Sequence, residues 1–137
     1  MRTTLLEHDA PAQETLALHD KLDAALVGIG TCAVDPSLKS GENFFTNEQF
    51  ARARDLGAVG QVNLRFIDIE GNAIISALGD LVIGVTLEQL RRCGRTIAVA
   101  GGPTKYAAIQ GAVRGGWVNS LVTDLQTAKH LLKAAAS

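Results

Sequence analysis

Apolar and polar positions along the chain predict short buried strands that alternate with helices. An apolar run starts at Ala24 and closes in Gly28-Ile29-Gly30, which is typical of a strand buried on both faces. A second buried strand is predicted over residues 95–100 and runs directly into Gly101-Gly102-Pro103, and a third is predicted over 117–122. Residues 31–44 are predicted to be irregular, and a loop of this length in a small domain is often functional.

Five helices are predicted around these strands. Two of them begin with the same capping box, in which Thr46 or Thr86 is followed three residues later by Gln. Gly57 and Gly94 are the expected C-terminal stops of these two helices. The other helices are predicted over residues 11–22, over residues 103–114, and from the capping residue Asp124 onward.

An antiparallel hairpin is predicted over residues 61–78. Val62, Leu64 and Phe66 alternate with polar residues, which is typical of a half-buried strand. A turn is predicted at 70–72, and a second strand over 73–78. After the N-terminal helix, the order β, α, β-hairpin, α, β, α, β, α predicts a three-layer, Rossmann-like α/β fold with a mostly parallel sheet, forming a single unit over residues 1–137.

The composition excludes several classes of protein. The chain has 137 residues and a formal net charge of -1, whereas free-standing nucleic-acid-binding domains are normally basic. No apolar run reaches the roughly 18 residues that a membrane span needs, and the first ten residues lack the apolar stretch of a signal peptide, so a cytoplasmic protein is expected. The spacing of the two cysteines and three histidines fits no metal site, and no catalytic motif is present, so we expect no metal, no cofactor and no catalytic residues.

Two glycine-rich loops follow predicted parallel strands, which is where open α/β sheets bind their ligands. Pro103 fits the first position of a helix and Gly102 its cap, so the neighbouring amides are expected to be available to a ligand. The predicted ligand-binding residues of the two loops are Gly28, Gly30, Thr31, Gly101, Gly102, Thr104 and Lys105.

Lys105 falls in the first turn of its helix, where the helix dipole disfavours a cation. A bound anion, such as a sugar phosphate, would remove this conflict, because helix amides and the ammonium group would hold it jointly. The alternative is that Lys105 simply points to solvent. Asp68 and Asp124 are interpreted as turn and cap residues, and Trp117 as a core residue.

Taken in order, several short strings resemble the C-terminal sugar-binding domain of the SorC family of bacterial transcriptional regulators. The resemblance runs from about residue 11 to the end of the chain. The strings are Ala25-Leu26-Val27-Gly28-Ile29-Gly30, Leu56-Gly57-Ala58-Val59-Gly60, Arg65-Phe66-Ile67-Asp68 with Gly71, Leu87-Glu88-Gln89-Leu90, Ile97-Ala98-Val99-Ala100-Gly101-Gly102 with Lys105, and Leu121-Val122-Thr123-Asp124.

The resemblance implies a fold like that of glucosamine-6-phosphate deaminase, ribose-5-phosphate isomerase and the CoA-transferases. It also implies a non-catalytic effector domain that binds a phosphorylated sugar and thereby alters oligomerisation, so a homo-oligomer is expected. Members of the family carry an N-terminal helix-turn-helix, and their effector domain begins with a further strand and a Gly/Thr-rich phosphate loop. This sequence shows neither feature, so we expect it to correspond to the second half of the effector domain and to make no contact with nucleic acid.

Two alternatives remain at this point. One is a phosphosugar isomerase or deaminase, which would need a general base near the sugar carbons. The resembling deaminases place an Asp-Gly-His stretch after the Gly-Ile-Gly loop, but here Thr31-Cys32-Ala33-Val34 follows, and Asp35 is the nearest carboxylate. The other is a fragment that acts only in oligomerisation, pairing through an exposed sheet edge.

Overall fold

A five-stranded mixed sheet organises the fold in the computed structural model, which describes residues 6–39 and 41–136. The strand order is β3-β2-β1-β4-β5. Strand β1 pairs in parallel with β4, which in turn pairs in parallel with β5, whereas β2 pairs antiparallel with both β1 and β3. This arrangement confirms the predicted α/β class, with a mostly parallel sheet and an antiparallel hairpin. The strands are β1 (Ala24–Gly30), β2 (Gly60–Val62), β3 (Arg65–Ile67), β4 (Arg95–Val99) and β5 (Ser120–Val122).

The predicted helices all form, and the two capping boxes are both present. Thr46 and Thr86 each accept a hydrogen bond from the Gln three residues later at 3.2 Å, and each Gln side chain accepts one in return. The first helix is shorter than predicted, because residues 19–21 tighten into a 3₁₀ turn. The α-helices that lie wholly within the described residues are α1 (Ala10–Leu18), α2 (Asn47–Asp55), α3 (Leu87–Arg92), α4 (Tyr106–Arg114) and α5 (Leu125–Ala135).

The hairpin reverses earlier than predicted. Asn63 and Leu64 both adopt positive φ angles, 49° and 62°, and form a two-residue turn between β2 and β3. Such turns match the twist of antiparallel strands. The predicted single strand through Val62 and Phe66 is therefore wrong, and these two side chains lie on opposite faces of the sheet. The predicted strand over 73–78 is also wrong, because only Ala73 bridges to Ile67.

One face of the sheet carries the main core. Helices α3 and α4 pack on this face, and Trp117 is buried beside them, as predicted. The indole Nε1 of Trp117 donates to the carbonyl oxygen of Gly71 at 2.8 Å. The buried side chains of this core belong to Ile29, Val62, Ile67, Leu87, Leu90, Ala98, Ala100, Ala108, Ile109, Ala112, Trp117 and Val118.

The opposite face is only partly covered, so the prediction that β1 is buried on both faces is wrong. Leu26 is 75% exposed, Val99 is 53% exposed and Val122 is 57% exposed. The strand register places these side chains on one face. Helix α2 packs on this face over the hairpin, where Phe50 meets Phe66. Among the described residues, the third layer is therefore present over the hairpin and missing over the parallel strands. We call the exposed region of Leu26, Val99 and Val122 the open face.

Candidate functional site

A cavity of about 660 Å³ lies beyond the carboxyl end of β1. It forms between the irregular loop after β1 and the 3₁₀ turn Pro103–Lys105, which precedes α4. Because β1 and β4 are parallel neighbours, the segments that follow them meet at this edge of the sheet. The cavity brings together four of the predicted ligand-binding residues, which are Gly30, Thr31, Thr104 and Lys105.

The other three predicted residues do not line this cavity. Gly28 lies on the open face, in a shallower depression of about 400 Å³ that shares Gly30 and Gln61 with the cavity. Gly101 and Gly102 lie behind the 3₁₀ turn and contact Asp124. The assignment of all three residues to ligand binding remains a prediction. Gly101 and Gly102 lie against Asp124 and directly precede the 3₁₀ turn that carries Thr104 and Lys105.

Asp124 joins the second glycine loop to the last helix. Its Oδ1 atom accepts from the Thr127 amide at 2.8 Å, which is the helix cap predicted from the sequence. Its Oδ2 atom accepts from the Gly102 amide at 3.0 Å and from the Thr127 hydroxyl at 2.7 Å. These hydrogen bonds, above all that of the Thr127 hydroxyl, lower the pKa of Asp124. A Cβ atom on Gly101 would lie 2.3 Å from Oδ2, so the contact requires glycine there.

The amides that were expected to be available to a ligand are largely engaged. The Gly102 amide donates to Asp124 and Thr127, and the Lys105 amide donates to the Gly102 carbonyl oxygen at 3.0 Å. The Tyr106 amide donates to the Pro103 carbonyl oxygen. The expectation of open amides is therefore wrong for Gly102, Lys105 and Tyr106.

The loop after β1 contributes polar residues that were not among the predicted ligand-binding residues. Asp35, Glu42 and Asn43 line the cavity, together with Gln61 from β2. The sequence indicated Asp35 only as the carboxylate nearest to the first glycine loop, and the length of the loop was the only sequence signal for Glu42 and Asn43. Gln61 had no signal, because it enters the cavity only through its pairing with Gly30 across the sheet.

Hydrogen bonds within this loop hold its carboxylates. Asp35 Oδ1 accepts from the Ser37 amide at 2.9 Å and from the Ser37 hydroxyl at 2.6 Å. These bonds lower the pKa of Asp35, with the hydroxyl contributing most and the positive charge of Lys105 adding to the effect. The Asp35 amide donates to Asn43 Oδ1 at 2.9 Å, and Glu42 Oε2 accepts from the Lys39 amide at 2.8 Å.

The base of the cavity is aromatic, and the nearby thiol is inert. Phe45 and Phe50 line the cavity and pack edge to face, with ring centroids 5.7 Å apart. Cys32 belongs to the same cluster, and burial raises its pKa to about 11. A thiol with this pKa stays neutral at physiological pH and is a poor nucleophile.

Residues 6–39 and 41–136 contain neither a cluster of metal-ligating side chains nor a helix that could cross a membrane. No group of three His, Cys, Asp or Glu side chains in these ranges is arranged to hold a metal ion. Among the helices in the same ranges, none has the length and apolar character needed to cross a membrane.

Comparison with protein families matches residues 2–133 to the family described as "Putative sugar-binding domain". Among curated proteins, the chain is 35% identical over 117 residues to the sorbitol operon regulator of Klebsiella pneumoniae, covering 83% of this chain and 36% of that protein. It is also 35% identical over 128 residues to the deoxyribonucleoside regulator of Bacillus subtilis, covering 93% of this chain and 40% of that protein. The chain thus spans well under two thirds of the length of these relatives.

Solved structures show the same relationship. The full-length sorbitol operon regulator SorC from Klebsiella pneumoniae superposes with a TM-score of 0.82 at 30% identity, over 96% of this chain and 41% of that chain. The probable sor operon regulator from Shigella flexneri superposes with a TM-score of 0.83 at 29% identity, over 96% of this chain and 49% of that chain.

Proposed function

This chain belongs to the family of sugar-binding domains found in SorC-type transcriptional regulators, and on that premise we propose that it binds a phosphorylated sugar in the cavity beside Lys105. The observation that carries the proposal is the position of Lys105. Lys105 lines the cavity at the carboxyl end of the sheet, together with the hydroxyl-bearing residues Thr31 and Thr104.

The side chains of Lys105, Thr31 and Thr104 are suited to bind a phosphate group. An ammonium group and hydroxyls donate hydrogen bonds, and the oxygens of a phosphate monoester accept them. Because the neighbouring helix amides are engaged with protein acceptors, Lys105 supplies the main positive charge of the site. Binding is therefore expected to weaken as the salt concentration rises.

We propose that the site binds its ligand without converting it. A general base works best with a pKa near the operating pH. The pKa of Asp35 is lowered, and burial keeps the thiol of Cys32 neutral, so neither group is suited to this role. The curated relatives are named as regulators. The alternative, an isomerase or deaminase, would be supported by NMR detection of aldose-to-ketose or deaminated product when pure protein is incubated with phosphosugars.

In a regulator of this kind, the domain acts as the effector sensor. We propose that it works in the cytoplasm, that ligand binding alters association between copies, and that the residues described here make no contact with DNA. The net charge of -1 supports the last point. Cys32 and Cys93 are both free, in keeping with a reducing compartment.

Substitution of the lysine tests the site. Lys105→Ala is expected to weaken the binding of sorbitol 6-phosphate or 2-deoxyribose 5-phosphate by roughly 10- to 100-fold, because a charge-assisted hydrogen bond is lost. Isothermal titration calorimetry measures the affinity, with inorganic phosphate as a minimal ligand. Lys129→Ala, which removes an exposed lysine of α5 outside the cavity, is the matched control. Equal affinity in both variants would remove Lys105 from the site.

A further inference from the structure

The described side chains that line the cavity include one cationic group and two anionic groups. Among the described residues that line it, Lys105 is the single cation, and Asp35 and Glu42 are the acids. The charge of Lys105 reaches the Asp35 carboxylate and helps to lower the pKa of that group, so Asp35 stays ionised at neutral pH. A ligand entering the cavity therefore meets positive charge at the 3₁₀ turn and negative charge at the loop.

Each carboxylate has one oxygen held by the loop itself. The amide and hydroxyl of Ser37 donate hydrogen bonds to Asp35 Oδ1, and the Lys39 amide donates one to Glu42 Oε2. No residue within the described ranges donates a hydrogen bond to Asp35 Oδ2 or Glu42 Oε1. An ionised carboxylate oxygen accepts hydrogen bonds and donates none, so it suits a hydroxyl group and repels an anion.

We infer that the cavity selects a ligand with a single phosphate and otherwise neutral hydroxyl groups, and that Asp35 and Glu42 exclude ligands carrying a second anionic group. The inference rests on the proposed phosphosugar site. With the phosphate on Lys105, the remaining part of the sugar extends towards the loop. Hydroxyls placed there donate to the carboxylates, whereas a second phosphate or a carboxylate meets like charge, with no second cation among the described residues that line the cavity.

Asn43 supports this arrangement from across the loop. Its Oδ1 atom accepts from the Asp35 amide at 2.9 Å, and its Nδ2 atom donates to the Asp35 carbonyl oxygen at 3.4 Å. The two contacts fix the backbone that carries Asp35. The position of this carboxylate is therefore set by the loop and does not depend on the ligand.

Two pairs of ligands that differ by one anionic group test the inference. Calorimetry at pH 7.5 compares glucose 6-phosphate with 6-phosphogluconate, and fructose 6-phosphate with fructose 1,6-bisphosphate. The wild-type chain is expected to prefer the member of each pair without the second anionic group, glucose 6-phosphate or fructose 6-phosphate, by roughly tenfold or more, which corresponds to about 1.4 kcal/mol. In Asp35→Asn and Glu42→Gln, the preference is expected to fall several-fold towards equal binding.

Asp55→Asn is the matched control, because it removes an exposed carboxylate of α2 that does not line the cavity. It changes the net charge by the same amount and is expected to keep the wild-type preference. Equal wild-type affinity within each pair, or the same loss of preference in all three variants, would overturn the inference while leaving a Lys105-dependent site intact. If no phosphosugar binds in a Lys105-dependent manner, the proposed function itself is wrong, and the inference falls with it.

Discussion

At the scale of single residues, the glycines of the two predicted loops differ in what surrounds them. A Cβ atom on Gly28 would meet nothing within 4 Å, since this residue lies on the open face. A Cβ atom on Gly101 would meet the Asp124 carboxylate at 2.3 Å. That carboxylate cannot move aside freely, because it holds Gly102 and Thr127. The same residue type in two similar loops therefore has a packing requirement in one case and none in the other.

Alanine substitutions separate these two glycines. Gly101→Ala is expected to destabilise the chain by roughly 1–3 kcal/mol, because the new methyl group forces Asp124 out of its hydrogen bonds. It should also weaken phosphosugar binding, since Lys105 follows on the same turn. Gly28→Ala is expected to leave stability within about 0.5 kcal/mol of wild type. Urea unfolding measures both, and equal effects of the two substitutions would contradict the assignment.

The role of Asp124 can be separated from helix capping. Asp124→Asn keeps a good N-cap for α5, because Asn is as effective there as Asp. It replaces one of the two oxygens, so the contacts to both Gly102 and the Thr127 amide cannot be kept. We expect weaker binding of sorbitol 6-phosphate in calorimetry, whereas Asp9→Asn, at the cap of α1, should bind as wild type does.

The pKa of Asp124 adds a test in acid. Because this pKa is lowered in the folded state, its stabilising contribution is present above the unfolded value near 3.8 and is lost as the pH falls through the folded value. Asp124→Asn should therefore show a smaller loss of stability below pH 3.8 than the wild-type chain. If urea unfolding shows the same loss of stability below pH 3.8 in the variant and the wild-type chain, the hydrogen bonds of Asp124 do not stabilise the fold in this way.

At the scale of elements, strand β1 has two different faces although its sequence is apolar throughout. Ile29 is 1% exposed and packs into the main core, whereas Leu26 is 75% exposed. In the part of the chain that the structure describes, helices α3 and α4 cover the first side, and the second side has a helix only over the hairpin. Whether a face of a strand is buried thus depends on whether a helix packs over that face of the sheet.

Substitutions on the two faces should differ sharply. Ile29→Ala is expected to destabilise the chain by roughly 2–5 kcal/mol, since it leaves a cavity in a close-packed core. In the monomer, at protein concentrations below those of self-association, Leu26→Ala should change the free energy of unfolding by about 0.5 kcal/mol or less, because the side chain is mostly in solvent. Denaturant unfolding at such low concentrations measures both. A large loss for Leu26→Ala under these conditions would show that the open face is covered within the monomer.

At the scale of the whole molecule, the open face is the feature most relevant to assembly. Leu26, Val99 and Val122 project from adjacent parallel strands, and Ile97 lies half-buried between them. An exposed apolar surface of this kind marks an interaction site in many proteins. It supports the oligomerisation expected from the sequence, which remains a proposal.

Light scattering tests that proposal. We expect the 137-residue chain to self-associate in a concentration-dependent manner, and the double substitution of Leu26→Lys and Val99→Lys to reduce this association by placing charge on the open face. Leu56→Lys, at an exposed position outside the open face, is the control. A monodisperse wild-type monomer at all concentrations would argue against assembly through this face.

The sequence by itself determined the α/β class, the helix positions and part of the lining of the cavity. Capping boxes, apolar runs and glycine stops are local signals, so α2, α3 and β4 form close to where they are predicted. Gly30, Thr31, Thr104 and Lys105 could be predicted to lie near one another because the carboxyl ends of parallel strands share one edge of the sheet, and their role in ligand binding stays a prediction. Alternation could not reveal the hairpin turn, since a strand that continues and one that reverses over two residues give the same pattern.

Only the tertiary structure decided which groups face one another. The acids of the long loop line the same cavity as Lys105 because the chain between residues 35 and 105 returns to the same edge of the sheet, and no spacing in the sequence encodes that arrangement. Asp124 has the same local signature as any helix cap, yet its second oxygen holds a loop 22 residues away. The open face likewise depends on which layer reaches each strand. Local hydrogen bonding and hydrophobic patterning determine where the helices and strands form. Which charged groups lie near one another, and which face of the sheet stays exposed, depends on packing between segments that are distant in the sequence.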